Sequence, residues 1–340
     1  MDTPTHGLIG RLAARVIWPE KAQNGLVNVV TVCSVLPDLD VLLPGGGLEY
    51  LVSHRGVSHS FLGVGLMALV VAWVAQKLGV RSTSFWQVYA ASLFGFLTHI
   101  FFDLVTTFGT LVFTPFSDYR MAWDTLFIID PYLDLLLIGT LLVGWLTRLG
   151  KVGYRVGGGL VVGYVVVAFF ITGVGHLQLR HWANSQDIEI LQTAVMPAPF
   201  SPLHRRGMVM SDNSVYWVPM TIWDGVNGDV QVFHSALTDE RLKPLWDVRA
   251  GEIYRWFTRF PIVKVLDDQK NILLVQDLQF MVIPDRLALG WLGRWVLALA
   301  LDHSPAVLER RNFALEIELD DDGKIQKVTY LDQTSERHPL

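Results

Sequence analysis

The sequence predicts a mainly α-helical polytopic membrane domain of four or five spans, followed by a soluble, β-rich α+β domain. Three observations carry that prediction. The 340-residue chain is 51% hydrophobic and only 17% charged, whereas a soluble domain usually carries about a quarter charged residues. Its mean hydropathy is positive, +0.36. The apolar residues are also unevenly placed: residues 60 to 176 hold long uncharged runs, and residues 185 to 340 read like a soluble domain. The expected organisation is a membrane-embedded helical domain over 1–180, a linker over 181–202 and a soluble β-rich domain over 203–340.

A helix needs about 20 apolar residues to cross a bilayer. Ser60 to Gln76 is the first expected span. Phe85 to Val105 is the second and contains His99 and Asp103. Leu126 to Leu146 is the third, with Asp130 and Asp134 in its first half. Gly157 to Gly175 is the fourth and carries no charge. Gly25 to Leu36 is too short to span unless extended, and reads as a half-buried or re-entrant helix. Lys77 and Arg81 follow the first span, and Arg148, Lys151 and Arg155 follow the third. The positive-inside rule then puts these two loops in the cytoplasm and turns the 106–125 loop and the C-terminal domain outward. Arg11, Arg15 and Lys21 fit that orientation only if Gly25 to Leu36 also spans.

Beyond His176 the composition changes. Pro197, Pro199 and Pro202 punctuate a linker, and short alternating runs begin at Val215, Val230 and Ile272. FALEIEL from Phe313 and KIQKVTYL from Lys324 flank DDDG, an acidic Gly-ended turn that signals a β-hairpin. The nearly apolar stretch Leu287 to Leu301 reads as a helix, buried, interfacial or a fifth span, with Arg294 favouring the first two.

The formal net charge is -5 and no Lys/Arg cluster offers a nucleic-acid surface, so no nucleic-acid partner is expected. Cys33 is the only cysteine. It excludes an internal disulfide and a Cys-rich zinc site, leaving His, Asp and Glu to hold any metal. The start MDTPTHGLIG lacks the basic and apolar regions of a signal peptide.

Ionisable side chains among apolar helices are costly and call for a partner or a role. Here they are His6, Asp38, Asp40, His54, His59, His99, Asp103, Asp124 and Asp130. His99 and Asp103 stand at i, i+4 on one helix face, so an imidazole nitrogen and a carboxylate oxygen can reach one ion. Alone, the pair reads more readily as a buried hydrogen bond tying two helices together. In HRGVSHS, His54 and His59 suit a loop entering the first span, Gly56 lets the backbone bend, and Ser58 or Ser60 can cap the helix. Arg55 could clamp an anion there. In LPDLD an extended loop would point Asp38 and Asp40 the same way, toward a shared cation. Calcium or magnesium would suit the carboxylates, and the nearby histidines shift the balance toward zinc or manganese.

The ordered strings THGLIG, LPDLD, HRGVSHS, LTHIFFD, TTFGT, PFSD and FIIDP, between Thr5 and Pro131, resemble the bacterial family of membrane-bound metal-dependent hydrolases. The likeness covers roughly Met1 to Leu146 and, more loosely, Pro197 to Leu203. That family is distantly similar to zinc-dependent phospholipases C and related single-strand nucleases, helical enzymes whose metal clusters include an HxxxD helix pair. His99 and Asp103 match that pair. His6, Asp38, His54 and His59 match the other motif positions by type and order. The resemblance implies divalent metal, zinc before manganese or magnesium, held by these six residues in a multi-pass protein of the inner membrane; the positive-inside rule turns that site outward. It implies hydrolysis of a phosphoester, lipid-derived if the substrate comes from the adjoining bilayer. Arg55 and Arg120 would then hold substrate, and Asp40 or Asp124 would orient water or take its proton. Two rival readings are a metal-ion transporter and a structural or regulatory protein whose metal only fastens helices. The C-terminal domain has no counterpart in the phospholipases, which leaves its partner open.

Overall fold

The computed structural model describes residues 1–20, 24–42, 47–80, 84–147, 150–267, 271–281, 312–332 and 336–339. The chain forms two compact units, Met1–Leu43 with Ser53–Phe170, and Pro44–Val52 with Ile171–Leu340. Seven helices precede the first strand among the described residues: α1 (Thr3–Ile17), α2 (Asn24–Cys33), α3 (Leu48–Ser53), α4 (Phe61–Lys77), α5 (Phe85–Leu104), α6 (Pro131–Leu146) and α7 (Gly150–Ser185).

Helix starts follow from local chemistry. Asp2 caps α1 by accepting from the Thr5 amide. Ser60 caps α4 through the Gly63 amide, and Ser84 with Gln87 forms a capping box on α5. Asp130 precedes Pro131 and accepts from the Tyr132 and Leu133 amides, each at 3.1 Å. The helical unit has two apolar cores. Val30, Val64, Val88 and Phe96 join α2, α4 and α5, while Leu12, Leu137 and Val161 join α1, α6 and α7.

Among the described residues, three helical segments are long and apolar enough to cross a membrane: Gly25–Leu42, Phe85–Leu104 and Gly150–Ser185. A fourth arises if Leu48–His59 and Phe61–Lys77 form one broken span. The span expected at residues 157–175 lies within such a segment, and the one expected at 85–105 matches another to within one residue. The stretch expected to be re-entrant is longer than its apolar run implied, because Pro37 starts a 3₁₀ turn (Leu36–Leu42) that extends it. The third expected span is shorter. Residues 126–130 stay outside α6, since the Leu126 amide bonds the Val105 carbonyl at 2.9 Å, and 16 residues of helix remain.

Close helix approach depends on two glycines. A Cβ at Gly95 would stand 2.6 Å from the Val30 carbonyl oxygen and 2.8 Å from Cys33 Cβ. One at Gly10 would stand 2.0 Å from Ser34 Oγ. α1 and α5 can therefore both press against the C-terminal end of α2. α1 also packs on α5, with His6 Nε2 3.1 Å from Asp103 Oδ1 near the C-terminal end of α5.

The second unit is built on a ten-stranded antiparallel sheet: β1 (Gln192–Ala198), β2 (Ser201–Met210), β3 (Ser214–Thr221), β4 (Gly225–Val226), β5 (Gln231–Ser235), β6 (Pro261–Asp267), β7 (Ile272–Asp277), β8 (Ala314–Leu319), β9 (Ile325–Leu331) and β10 (Arg337–Pro339). Its order is β1-β2-β3-β5-β6-β7-β8-β9-β10, with β4 on β3. The proline-punctuated stretch expected as a linker is the β1–β2 hairpin, with Gln192 opposite Met210 and Ala198 opposite Ser201. Pro197 is tolerated there because β1 lies at the edge of the described sheet, and Pro199 falls in the turn. The alternating runs beginning at Val215, Val230 and Ile272 fall in or beside β3, β5 and β7. The expected acidic hairpin joins β8 to β9, with Gly323 at φ +77° in its turn. Two short helices, α8 (Lys243–Trp246) and α9 (Arg249–Phe257), complete the unit. Tyr254 of α9 is buried and donates to the Phe313 carbonyl at 2.7 Å. The helix expected over residues 287–301 lies outside the described residues.

Gly95→Leu should overpack the α2–α5 contact and destabilise the helical unit by about 1–3 kcal/mol. Thermal unfolding of the detergent-purified protein should show the loss, whereas Gly65→Leu, where a Cβ meets nothing within 4 Å, should leave the midpoint nearly unchanged.

Candidate metal centre

The C-terminal end of α5 carries His99 and Asp103, both fully buried. Around them the helical unit gathers His6 from α1, Asp38 from the 3₁₀ turn, and Arg55 and His59 from the segment before α4. One ligand atom each from His6, Asp38, His99 and Asp103 lies within 4.8 Å of all the others. His59 closes the group. Its Nε2 stands 3.0 Å from His99 Nε2, 3.2 Å from Asp103 Oδ2 and 3.9 Å from Asp38 Oδ1. His99 Nε2 is 3.3 Å from Asp103 Oδ2 and 3.6 Å from Asp38 Oδ1.

The opposite faces of the two imidazoles orient them. His99 Nδ1 donates to the Ser34 carbonyl at 2.8 Å, the contact that the Gly95 and Gly10 approaches permit. His59 Nδ1 faces Asp40 Oδ2 at 3.3 Å and Ser58 Oγ at 2.9 Å. With both Nδ1 atoms protonated, both Nε2 lone pairs point inward and meet across 3.0 Å. Two facing lone pairs repel unless a proton is shared between the rings or a cation binds both. The spacing fits a cation. Bonds of about 2.0–2.1 Å to a tetrahedral ion set ligand atoms about 3.3 Å apart, and the five measured edges run from 3.0 to 3.9 Å. Asp103 Oδ2 is buried without a hydrogen bond, as is His6 Nδ1. Burial above all, then the charges of His99 and the amino terminus, holds His6 well below the usual imidazole range although Asp103 opposes them. A neutral His6 is competent to ligate.

The remaining expected residues divide into two groups. Asp38 accepts from Thr3 Oγ1 at 2.6 Å and faces the imidazoles. Asp40 points elsewhere, accepting from Ser58 Oγ at 2.7 Å and the Arg55 amide at 3.0 Å and pairing with His54 Nδ1 at 2.7 Å. The expectation of one shared direction fails because the backbone is a 3₁₀ helix, in which residues two apart diverge. Asp40 is buried and braces the histidine loop, and His54 stands behind it. Arg55 has φ +58°, a strained left-handed backbone for a non-glycine residue. Its Nη2 lies 2.8 Å from Asp103 Oδ1 and its Nη1 donates to Thr106 Oγ1 at 3.2 Å. The Met1 amino group lies 2.5 Å from the same Asp103 oxygen. Arg55 and Arg120 each stack 5.1 Å from the Phe108 ring, and Arg120 also donates to the Phe108 carbonyl. Asp124 is buried at φ +52°, on a strand of chain pinned to the end of α5 by the Trp123 and Thr125 amides. Asp130 serves as the α6 cap and accepts from Tyr164 at 2.6 Å.

Sequence reasoning missed the Ser34 carbonyl, Thr3, Ser58 and Phe108. A backbone carbonyl leaves no residue-type signal, and Thr3 and Ser58 are typical capping residues. Phe108 sits inside the TTFGT string as an apolar residue with no ligand atom of its own. A second group, Asp332, Glu336 and His338, lies partly exposed in the sheet unit.

Apolar helices able to cross a bilayer, with a buried His/Asp group that could hold a metal ion, define a polytopic membrane protein with a candidate metal centre. Residues 1–180 match the family model described as YdjM inner membrane protein. That is more than half of the chain, which therefore belongs to the YdjM inner membrane protein family. The relative "Uncharacterized protein YfhP" of Bacillus subtilis (strain 168) is 26% identical over 141 residues, 39% of this chain and 43% of the Bacillus protein. No solved structure matches the chain.

Purified wild-type protein should retain a divalent ion by elemental mass spectrometry, and His99→Ala and Asp103→Ala should lose it. Asp40→Asn should weaken zinc affinity by about 10–100-fold, as loss of an outer partner of a ligating histidine does. Equal metal in all four proteins would refute the assignment.

Proposed function

We propose that this protein is a membrane-bound, metal-dependent phosphoester hydrolase, with zinc as the preferred ion. The inward-facing Nε2 atoms of His59 and His99, 3.0 Å apart between the carboxylates of Asp38 and Asp103, carry the reading. The seven motif strings that resemble membrane-bound metal-dependent hydrolases support it. A divalent ion held by His6, Asp38, His59, His99 and Asp103 would supply hydroxide from bound water near neutral pH and offset phosphoryl charge.

The chain's own groups then have distinct roles. Arg55 offsets the charge of Asp103 and presents the guanidinium nearest the cluster to an anionic substrate. Arg120, stacked on the same Phe108 ring, offers a second cation. Asp40 positions His59 and His54. Asp124, held beside the end of α5, would take a proton from the attacking water.

The cluster lies at the C-terminal end of α5, whereas a transport site would be expected near the middle of the membrane. This favours catalysis at a surface. Its orientation follows from charge. Lys151 at the start of α7 pairs with Glu20 just beyond α1, so Arg15 joins Lys151 and Arg155 at one end of the helical unit. This supports placing Arg15 on the same side as the basic residues of α7. The positive-inside rule places that end in the cytoplasm and the metal cluster outward.

Zinc-loaded protein should hydrolyse bis(p-nitrophenyl) phosphate or p-nitrophenyl phosphate. Chelation should abolish turnover and added zinc restore it, and His59→Ala should lose at least about a hundredfold in kcat/KM, the scale of a disrupted metal centre. A metal-replete wild type inactive on both phosphomonoesters and phosphodiesters would overturn the proposal.

A further inference from the structure

An apolar groove opens beside the metal cluster, within the same helical unit. Its volume is about 520 Å³, inside the range of about 300–1,000 Å³ for small-ligand sites. α1 lines it from Ile9 to Ile17 and α5 from Phe102 to Phe94, eight residues along each helix, while α7 lines it from Phe169 to Gly158. The directions agree. Ile9 is one turn from His6, and Phe102 adjoins Asp103. At the far end, a Cβ on Gly158 would lie 2.8 Å from Val16 Cγ2. The groove therefore starts at the cluster and runs away from it for about 12 Å at 1.5 Å per residue. That is most of the ~15 Å hydrocarbon depth of one leaflet, half of a core about 30 Å thick.

Its open side is also lipid-like in character. Phe101, Val162 and Val166 are exposed there. Trp123 bridges Phe101 and Phe169 at the cluster end, with ring centroids 5.7 Å from each. An aromatic residue with a polar edge is favoured where hydrocarbon meets headgroups. Arg55 and Arg120 lie toward the charged end, where a phosphate would sit.

We propose that this groove holds one acyl chain of a membrane phospholipid, entering sideways from the leaflet, and so presents the phosphoester head to the metal cluster. The inference takes its headgroup chemistry from the hydrolase reading, but the groove can be tested without turnover. Gly159 lines the groove, and a Cβ there meets no atom within 4 Å. Gly159→Leu should fill the space without a clash and with better helix propensity. Gly163 is equally unobstructed on α7 but does not line the groove, so Gly163→Leu is the control.

The probe is a phosphatidic acid bearing a diazirine in its acyl chain, in phosphatidylcholine nanodiscs holding the full-length protein. After photolysis, wild type and Gly163→Leu should carry label on peptides containing Leu12–Val16 and Phe94–Thr98. Gly159→Leu should lose about tenfold or more of that label, having displaced several buried methylenes. Label on the outward residues Leu66 and Val70 of α4 should stay constant in all three. Undiminished groove labelling in Gly159→Leu overturns the proposal. So does an unlabelled groove in a dimeric wild type, which would place a second copy there. Hydrolysis of water-soluble bis(p-nitrophenyl) phosphate separates the two readings. Groove labelling without turnover removes the hydrolase and leaves the acyl site. Turnover without groove labelling does the reverse.

Discussion

The burial of Asp103 is the constraint on which the helical unit depends. Its carboxylate is fully buried at the end of an apolar helix, where an unpaired charge would cost several kcal/mol even after relaxation. The surrounding chain is arranged to meet that cost. Arg55 reaches Oδ1 at 2.8 Å from a backbone held at φ +58°, a conformation that itself costs about 1–3 kcal/mol. His6, His59 and His99 converge on the same carboxylate. What these contacts leave over is an unbonded Oδ2 beside two facing Nε2 atoms, the arrangement a divalent ion would complete.

Packing supplies the precision that the electrostatics require. Glycines at 10 and 95 let α1 and α5 approach α2 closely enough for the Ser34 carbonyl to select the His99 tautomer. Asp40 sets His59 from the other side while holding His54, Ser58 and the Arg55 amide. One buried carboxylate thus stabilises the loop that supplies two groups of the cluster. The sheet unit is built differently, by continuous antiparallel pairing from β1 to β10, and its apolar core lies under residues such as Met196, Trp217 and Ile262.

Much of this architecture is legible in the residue order because the signals are local. Low charge and long apolar runs mark the membrane segments, and alternation with an acidic Gly-ended turn marks the β8–β9 hairpin. His and Asp within apolar context mark the candidate ligands. Their i, i+4 spacing in α5 already puts His99 and Asp103 on one face. Segment ends are less legible. Local apolarity ran Leu126–Leu146 together as one span, but a hydrogen bond to Val105 keeps residues 126–130 out of α6. Apolarity also stopped the α2 segment early, because it carries no sign of the 3₁₀ turn through LPDLD.

The sequence by itself therefore determined the two-part organisation, the membrane class and a set of ionisable residues too costly to bury without purpose. Only the tertiary structure decided which of them meet. Asp38 faces the imidazoles and Asp40 turns away, because a 3₁₀ backbone rotates successive side chains by about 120° rather than alternating them. His59 enters the cluster and His54 backs Asp40, because the chain bends at Arg55. The groove beside the cluster belongs to no local pattern. Its walls come from α1, α5 and α7, whose residues lie as much as 160 positions apart in the chain, and such a surface exists only once helices distant in sequence have packed together.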